Sequence, residues 1–412
     1  MMPENERYRG RWNGNFDSKK SYDENELVIQ VAGMINAQNA REVFEEINAL
    51  RSQCPDGQLI LDFNDLSYIS SVGLRGLINL QKKESRQIIL DSVQSGVADV
   101  LRETGFDRVF TVNPAMRELS VDNLDIIGKG SNGTVYRDDE QVIKVYSEDA
   151  DLSVIKREDE ASKVMLTMKL PVVIAYDVVK VGNCYGTVFE SIVTDSLAHT
   201  LRDHPEQFDE LSEEYVRLYS DIHHTVANKE QFMFVKDIYR KYIQDCSDWY
   251  EEAELSRLMD LVDGLPDGDV ILHGDFHAGN IMMGDDGLLL IDMADVSYGH
   301  PVFDLISTAV TQRLLLELNG PLAEQNTGMG KELITKLWKK TLSSVFTGKS
   351  QEELDQIDGI LYRLSILKMA VGPVVSKNMP KEVLDFDVHM ARTELIPYID
   401  ELLQKREIFD GI

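Results

Sequence analysis

The chain is first divided by the period of its apolar positions. Leu27-Val-Ile-Gln-Val-Ala-Gly33 predicts a strand, and residues 39–52 place Val43, Phe44, Ile47 and Leu50 at the spacing of one helical face. This pair recurs as a strand at 59–63 with a helix over 73–83, and as a strand at 88–92 with a helix over 97–103. A last strand is predicted at 108–112. Strands alternating with helices predict a layered α/β domain over residues 15–113, behind a polar lead-in holding one edge strand.

The segment 114–122, with Pro114 and several charges, is predicted to be a linker, and the pattern changes after it. Strand-like runs at 126–127, 134–137, 142–146 and 186–192 enclose one helix at 152–168, which predicts a small β-rich lobe over 123–192. From about residue 208 the pattern is helical, broken near 271–272 and 288–291, which predicts a largely helical lobe over 193–412. The fold class expected is an α/β domain followed by a two-lobed α+β domain.

Composition narrows the function. A length of 412 residues suits two or three domains, and 43% hydrophobic with 27% charged residues is the balance of globular proteins. No apolar run reaches the length of a membrane span, and the start, Met-Met-Pro-Glu-Asn-Glu, lacks a basic segment followed by an apolar one. Cys54, Cys184 and Cys246 form no CxxC pair, so neither a zinc site nor a disulfide framework is expected, and a reducing cytoplasm is the expected location. A net charge of −29 without a basic stripe argues against nucleic acid as a partner and does not by itself identify a substrate.

The chemistry is carried by three motifs. Gly128-Lys-Gly130-Ser-Asn-Gly133-Thr-Val135 matches G-x-G-x-x-G-x-V, whose missing side chains let backbone N–H groups approach nucleotide phosphates. The sequence after Gly133 continues as strand rather than helix, which favours a kinase loop over a dinucleotide fingerprint. Val142-Ile-Lys144-Val145 then places a lysine among β-branched neighbours, a costly position unless it meets phosphate oxygens. Glu158 and Glu160, two residues apart on the next helix, point to different faces, and Glu158 is chosen as the partner that fixes Lys144. Finally, Val270-Ile-Leu-His273-Gly-Asp275 ends an apolar run in an aspartate, Asn280 follows by five positions, and Leu288-Leu-Leu-Ile-Asp292 ends a second run in another. This is the spacing of a phosphoryl-transfer site: Asp275 accepts or orients the nucleophile's proton, while Asn280 and Asp292 hold Mg²⁺. His277, His223 and His224 lack cysteines or carboxylates at ligand spacing and are taken as structural.

On these residues, 123–412 resembles the aminoglycoside phosphotransferase and choline kinase branch of the kinase-like fold, whose signature is matched by His273-Gly-Asp275, Asn280, Asp292, Asp295, Gly299, Pro301 and Asp304. The resemblance implies ATP and Mg²⁺ as cofactors. It also implies a hinge at Phe189-Glu-Ser-Ile192 that holds adenine through the backbone of Glu190 and Ile192, and an acceptor pocket built by the helical tail. Gly274 stands where protein kinases carry arginine, and only eleven residues separate Asp292 from Asp304, so a small-molecule acceptor is expected.

Residues 15–113, with Asp65-Leu-Ser-Tyr-Ile-Ser-Ser71-Val-Gly73 between a strand and a helix, resemble the STAS domain of bacterial anti-sigma factor antagonists. In that family the loop serine is phosphorylated by a partner kinase, which makes Ser71 the phosphorylation candidate and the domain a protein-docking unit. Two functions follow as expectations. One is an ATP- and Mg²⁺-dependent phosphotransferase acting on a small-molecule hydroxyl or amine. The other is a signalling protein whose kinase domain phosphorylates Ser71 or a partner's serine in a partner switch.

Overall fold

Alternation in the first unit translates directly into burial. The computed structural model describes residues 18–23, 26–55, 57–130, 133–138, 140–192, 194–375 and 379–412; the first seventeen residues, most of the polar lead-in, lie outside them. The chain divides into two units, Met1–Glu118 and Leu119–Ile412.

The first unit runs β1 (Ser18–Asp23), β2 (Glu26–Val31), β3 (Gly33–Ile35), α1 (Ala40–Arg51), β4 (Gln58–Asp62), β5 (Leu66–Ile69), α2 (Ser71–Gln81), β6 (Ile89–Val93), α3 (Ser95–Glu103) and β7 (Thr111–Pro114). Its sheet has the order β1-β2-β4-β6-β7, with β1 antiparallel and the rest parallel. Leu27, Ile29 and Val31 of β2 and Leu59 and Leu61 of β4 are all buried, and they pack with Phe44, Ile47, Leu77, Leu80 and Leu101 from the helices. The strand expected at 108–112 begins later. Gly105 ends α3 in the left-handed region, a 3₁₀ turn follows at Phe106–Arg108, and Phe106 stacks on buried Phe110, so pairing starts only at Thr111.

The second unit opens with five antiparallel strands, β8 (Asp125–Gly130), β9 (Gly133–Arg137), β10 (Gln141–Tyr146), β11 (Ala175–Val181) and β12 (Cys184–Glu190), in the order β11-β12-β10-β9-β8. Helix α4 (Leu152–Thr167) follows β10 and is capped by Asp151, which accepts from the Ser153 N–H. Leu119 and Val121, in the segment expected as a linker, pack against Ile143, Val179 and Val188 of this sheet. Four helices come next, α5 (Leu197–Asp203), α6 (Phe208–His223), α7 (Val235–Asp245) and α8 (Glu252–Gly264). Two short antiparallel pairs then carry the loops of interest: β13 (Val270–Leu272) with β16 (Ser297–Gly299), and β14 (Ile281–Gly284) with β15 (Gly287–Leu290). The rest is helical: α9 (Val302–Ala309), α10 (Leu315–Leu318), α11 (Gly320–Thr327), α12 (Lys331–Val345), α13 (Gln351–Ala370), α14 (Gly372–Val375), α15 (Lys381–Met390) and α16 (Ile399–Gln404).

Candidate active site

The glycine-rich segment is the turn of the β8–β9 hairpin, with Gly128 opposite Val135 and Gly130 opposite Gly133. Its tip, 131–132, lies outside the described residues. Gly133 has φ +148°, and a Cβ there would sit 2.1 Å from the Val145 carbonyl oxygen, so only glycine lets β9 lie this close to β10. Lys144 is central in the sheet, flanked by Val135 and Thr187. Its Nζ lies 2.8 Å from Glu158 Oε1 and 3.3 Å from Asp292 Oδ1. Glu158 is buried on α4 while Glu160 is exposed, so the structure brings Glu158 to the lysine. Burial alone would lower the Lys144 pKa, but the Glu158 and Asp292 carboxylates outweigh it and hold the ammonium above its ordinary value, so it stays charged.

On the other side, β13 delivers the loop that carries Asp275. Asp304, buried at the start of α9, accepts from the N–H groups of His273 (2.8 Å) and Gly274 (2.7 Å) and lies 2.9 Å from His223 Nε2. Gly274 has φ +81°, and a Cβ would meet the Asp295 carbonyl oxygen at 2.4 Å, which explains why no side chain stands before Asp275. His273 Nε2 is 3.2 Å from the Ile291 carbonyl, tying this loop to the one ending in Asp292. Asn280 Nδ2 donates to both the backbone oxygen and Oδ2 of Asp275, at 3.0 Å each. Its Oδ1 is thereby turned away from Asp275 and takes no donor among the described residues. Asp292, which faces Lys144, is a non-glycine residue in the left-handed region with φ +64°.

An amide oxygen and a carboxylate are hard donors, and Mg²⁺ is usually held by one or two carboxylates together with substrate phosphates and water. Asn280 and Asp292 fit that requirement, and the charged Lys144 fits a polyphosphate. Among the described residues no group of three or more His, Cys, Asp or Glu is arranged to hold a metal. At the expected hinge, Glu190 ends β12; its N–H donates to the Ile174 carbonyl and its side chain accepts from the Ile174 N–H at 2.8 Å. Ile192 follows, half-buried.

The sequence model of the phosphotransferase enzyme family (APH) matches residues 126–329, and that of the STAS domain matches residues 18–119. The chain joins a STAS domain to a kinase-like phosphotransferase domain. Similar solved structures include three enzymes. ADP-bound aminoglycoside phosphotransferase APH(2'')-Ib is 16% identical, covering 76% of this chain and 99% of that one, with a TM-score of 0.42. The gentamicin complex of APH(2'')-IIa is 17% identical, covering 68% and 94%, with a TM-score of 0.45. Choline kinase LicA from Streptococcus pneumoniae is 15% identical, covering 76% and 100%, with a TM-score of 0.41.

Within the phosphotransferase domain, three neighbours of the cluster were not among the expected site residues. Tyr146, buried two residues after Lys144, has its hydroxyl 3.0 Å from Glu158 Oε2 and 3.2 Å from Thr187 Oγ1. Its position two residues on along the same strand, hence on the same face, is the only signal that could have found it. His277, taken as structural, lies with Nε2 3.6 Å from Asp275 Oδ2, and the third is Lys368 on α13. His223 is paired with Asp304, and His224 is exposed beside Ser220. In the STAS domain, Ser70 takes the cap of α2 by accepting from the Gly73 N–H at 3.3 Å, which leaves Ser71 exposed in the first helical turn.

Proposed function

We propose that the phosphotransferase domain moves the γ-phosphoryl group of ATP to a hydroxyl of a small molecule, with the STAS domain as a docking or regulatory unit. The observation that carries this reading is the Asp275–Asn280 pair facing the same cluster as the Lys144–Glu158–Asp292 set. Bound Mg·ATP would supply the phosphoryl group and the metal charge; Asn280 Oδ1 and Asp292 would hold the metal, and Lys144 with the loop of Gly128, Gly130, Gly133 and Val135 would hold the phosphates. The Glu190–Ile192 backbone would hold the adenine.

Asp275 works on the acceptor. Burial pushes its carboxyl up, but the His277 imidazole 3.6 Å away, followed by Lys368 and His273, holds it well below the usual carboxylate range. A carboxylate held so low is a weak base, so it orients the hydroxyl early and takes the proton only as the new P–O bond forms and ADP leaves. With its side chain 42% exposed it is reachable by an acceptor.

The full chain, incubated with Mg·ATP and a panel of amino alcohols, sugars and aminoglycosides, should phosphorylate at least one acceptor. Asp275→Asn should cut kcat by about 10³-fold or more, while Mg·AMP-PNP binding stays within a few-fold. Intact AMP-PNP binding with no turnover on any acceptor would overturn the reading. A second reading, phosphorylation of Ser71 or of a partner's STAS serine, is favoured by one observation: Ser70 does the capping, so Ser71 is free to carry phosphate at a helix N-terminus. Mass spectrometry after Mg·ATP treatment should then show phosphate on Ser71 or on an added STAS protein, and its absence from both removes this reading.

A further inference from the structure

We propose that Lys368 is a positioning residue for phosphoryl transfer, fixing the Gly274–Asp275 peptide from the far side of the helical lobe. The inference rests on the phosphotransferase reading above. Lys368 comes 94 positions after Gly274 and lies beyond the 126–329 span matched by the family. Its Nζ donates to the Gly274 carbonyl at 2.6 Å and stands 3.7 Å from Asp295 Oδ2.

The uneven pair of distances is informative. A carboxylate is available, yet the short bond goes to a neutral backbone oxygen, and the Asp295 side chain is 55% exposed, so this is not a buried salt bridge with an incidental neighbour. That oxygen belongs to the same peptide plane as the Asp275 N–H, which lies 3.3 Å from His273 Nδ1. Ser307 Oγ also donates to it, and the Gly274 N–H is held by Asp304. Since Gly274 has no Cβ and sits at φ +81°, its backbone is the most permissive point of the loop, and the orientation of Asp275 depends on what holds this carbonyl.

The support behind Lys368 is rigid. Helix α13 is opened by a Ser350–Glu353 capping box, and it buries Leu361, Leu364 and Leu367 against the core. Lys368 lies in its last turn, where the helix dipole favours a cation. Other charged or titratable groups around the ammonium are Asp275, Asp304 and Tyr239. A small rotation of the tethered peptide would move the Asp275 carboxylate off the acceptor line, an error that costs on the order of 10²-fold in rate per ångström.

The test compares the full chain with Lys368→Met and Lys368→Arg by three readouts: amide hydrogen exchange, Mg·AMP-PNP affinity, and kcat and KM for the best acceptor of the panel. In Lys368→Met, exchange across 272–278 should rise about tenfold while α6 and α13 keep their protection. AMP-PNP affinity and acceptor KM should stay within about threefold and kcat should fall about 100-fold. Lys368→Arg should recover most of the exchange protection and part of kcat. Unchanged exchange across the loop overturns the proposal, and so does loosening that spreads over α9 and α13 with a lowered melting temperature. If the native chain turns over no acceptor, the phosphotransferase reading fails by itself, and the exchange arm still decides whether Lys368 holds the loop.

Discussion

An ammonium as enclosed as that of Lys144, 15% exposed, is tolerable because two carboxylates face it and one of them is itself fixed. The fixing residue is Tyr146. A carboxylate can only accept, so the single Tyr146 proton goes to Glu158 Oε2, and the Tyr146 oxygen accepts from the Thr187 hydroxyl on β12. Helix α4 and the sheet are thus joined at the pair that would grip the phosphates. Tyr146→Phe keeps the ring and removes that link, at a cost of about 1 kcal/mol. If the loss is felt at Lys144, the dissociation constant for Mg·AMP-PNP rises about fivefold. Calorimetric titration reads this directly, and an unchanged constant would mean that Lys144 alone holds Glu158. The residues proposed to touch nucleotide or metal come from motifs, because phosphoryl transfer needs such residues at fixed spacing on short loops. Tyr146, His277 and Lys368 act through another side chain or the backbone, so any residue of the right reach can serve and no spacing announces them.

Among the elements, those with a strong period were legible, and the misses have physical causes. Strand β11 carries Asp177 and Lys180 because it is the edge of its sheet, where charged side chains reach water and discourage further pairing. Strands β3 and β16 have three residues each, and β5 and β14 four, too few for any alternation to show. Helix α2 begins at Ser71 rather than at residue 73 because the cap falls on Ser70. That assignment makes two adjacent serines unequal. Ser70→Ala removes an acceptor for a helix N–H and should cost about 1 kcal/mol, seen as roughly fivefold faster exchange of the α2 amides. Ser71→Ala, at an exposed position, should stay within about 0.5 kcal/mol. The reverse order would make Ser71 the cap and weaken its candidacy for phosphorylation.

On the scale of the molecule, the charge of −29 is a pool of carboxylates, few of which are out of water. Asp387 on α15 is an exception, 7% exposed and without a donor among the described residues, and burial alone pushes its carboxyl up to about 6. The native domain therefore holds this proton more tightly than the unfolded chain, whose carboxyl titrates near 4. Between about pH 4 and 6 the native state binds more protons, so the contribution is present below that window and is lost as pH rises through it, by at most about 1.4 kcal/mol per pH unit. His300 works the other way, because burial lowers it to about 4, and its contribution is lost as pH falls from the ordinary histidine value through that point. The two slopes oppose each other in native protein and flatten its profile, so the difference between variant and native chain isolates Asp387. Asp387→Asn should be nearly neutral at pH 4 and more stable by about 1 to 2 kcal/mol at pH 7.5, the gap opening mostly below pH 6.5. Urea unfolding followed by tryptophan emission reads it, since Trp249 and Trp338 both report on this domain. A difference that does not change with pH would mean that the Asp387 carboxyl is satisfied in the native state.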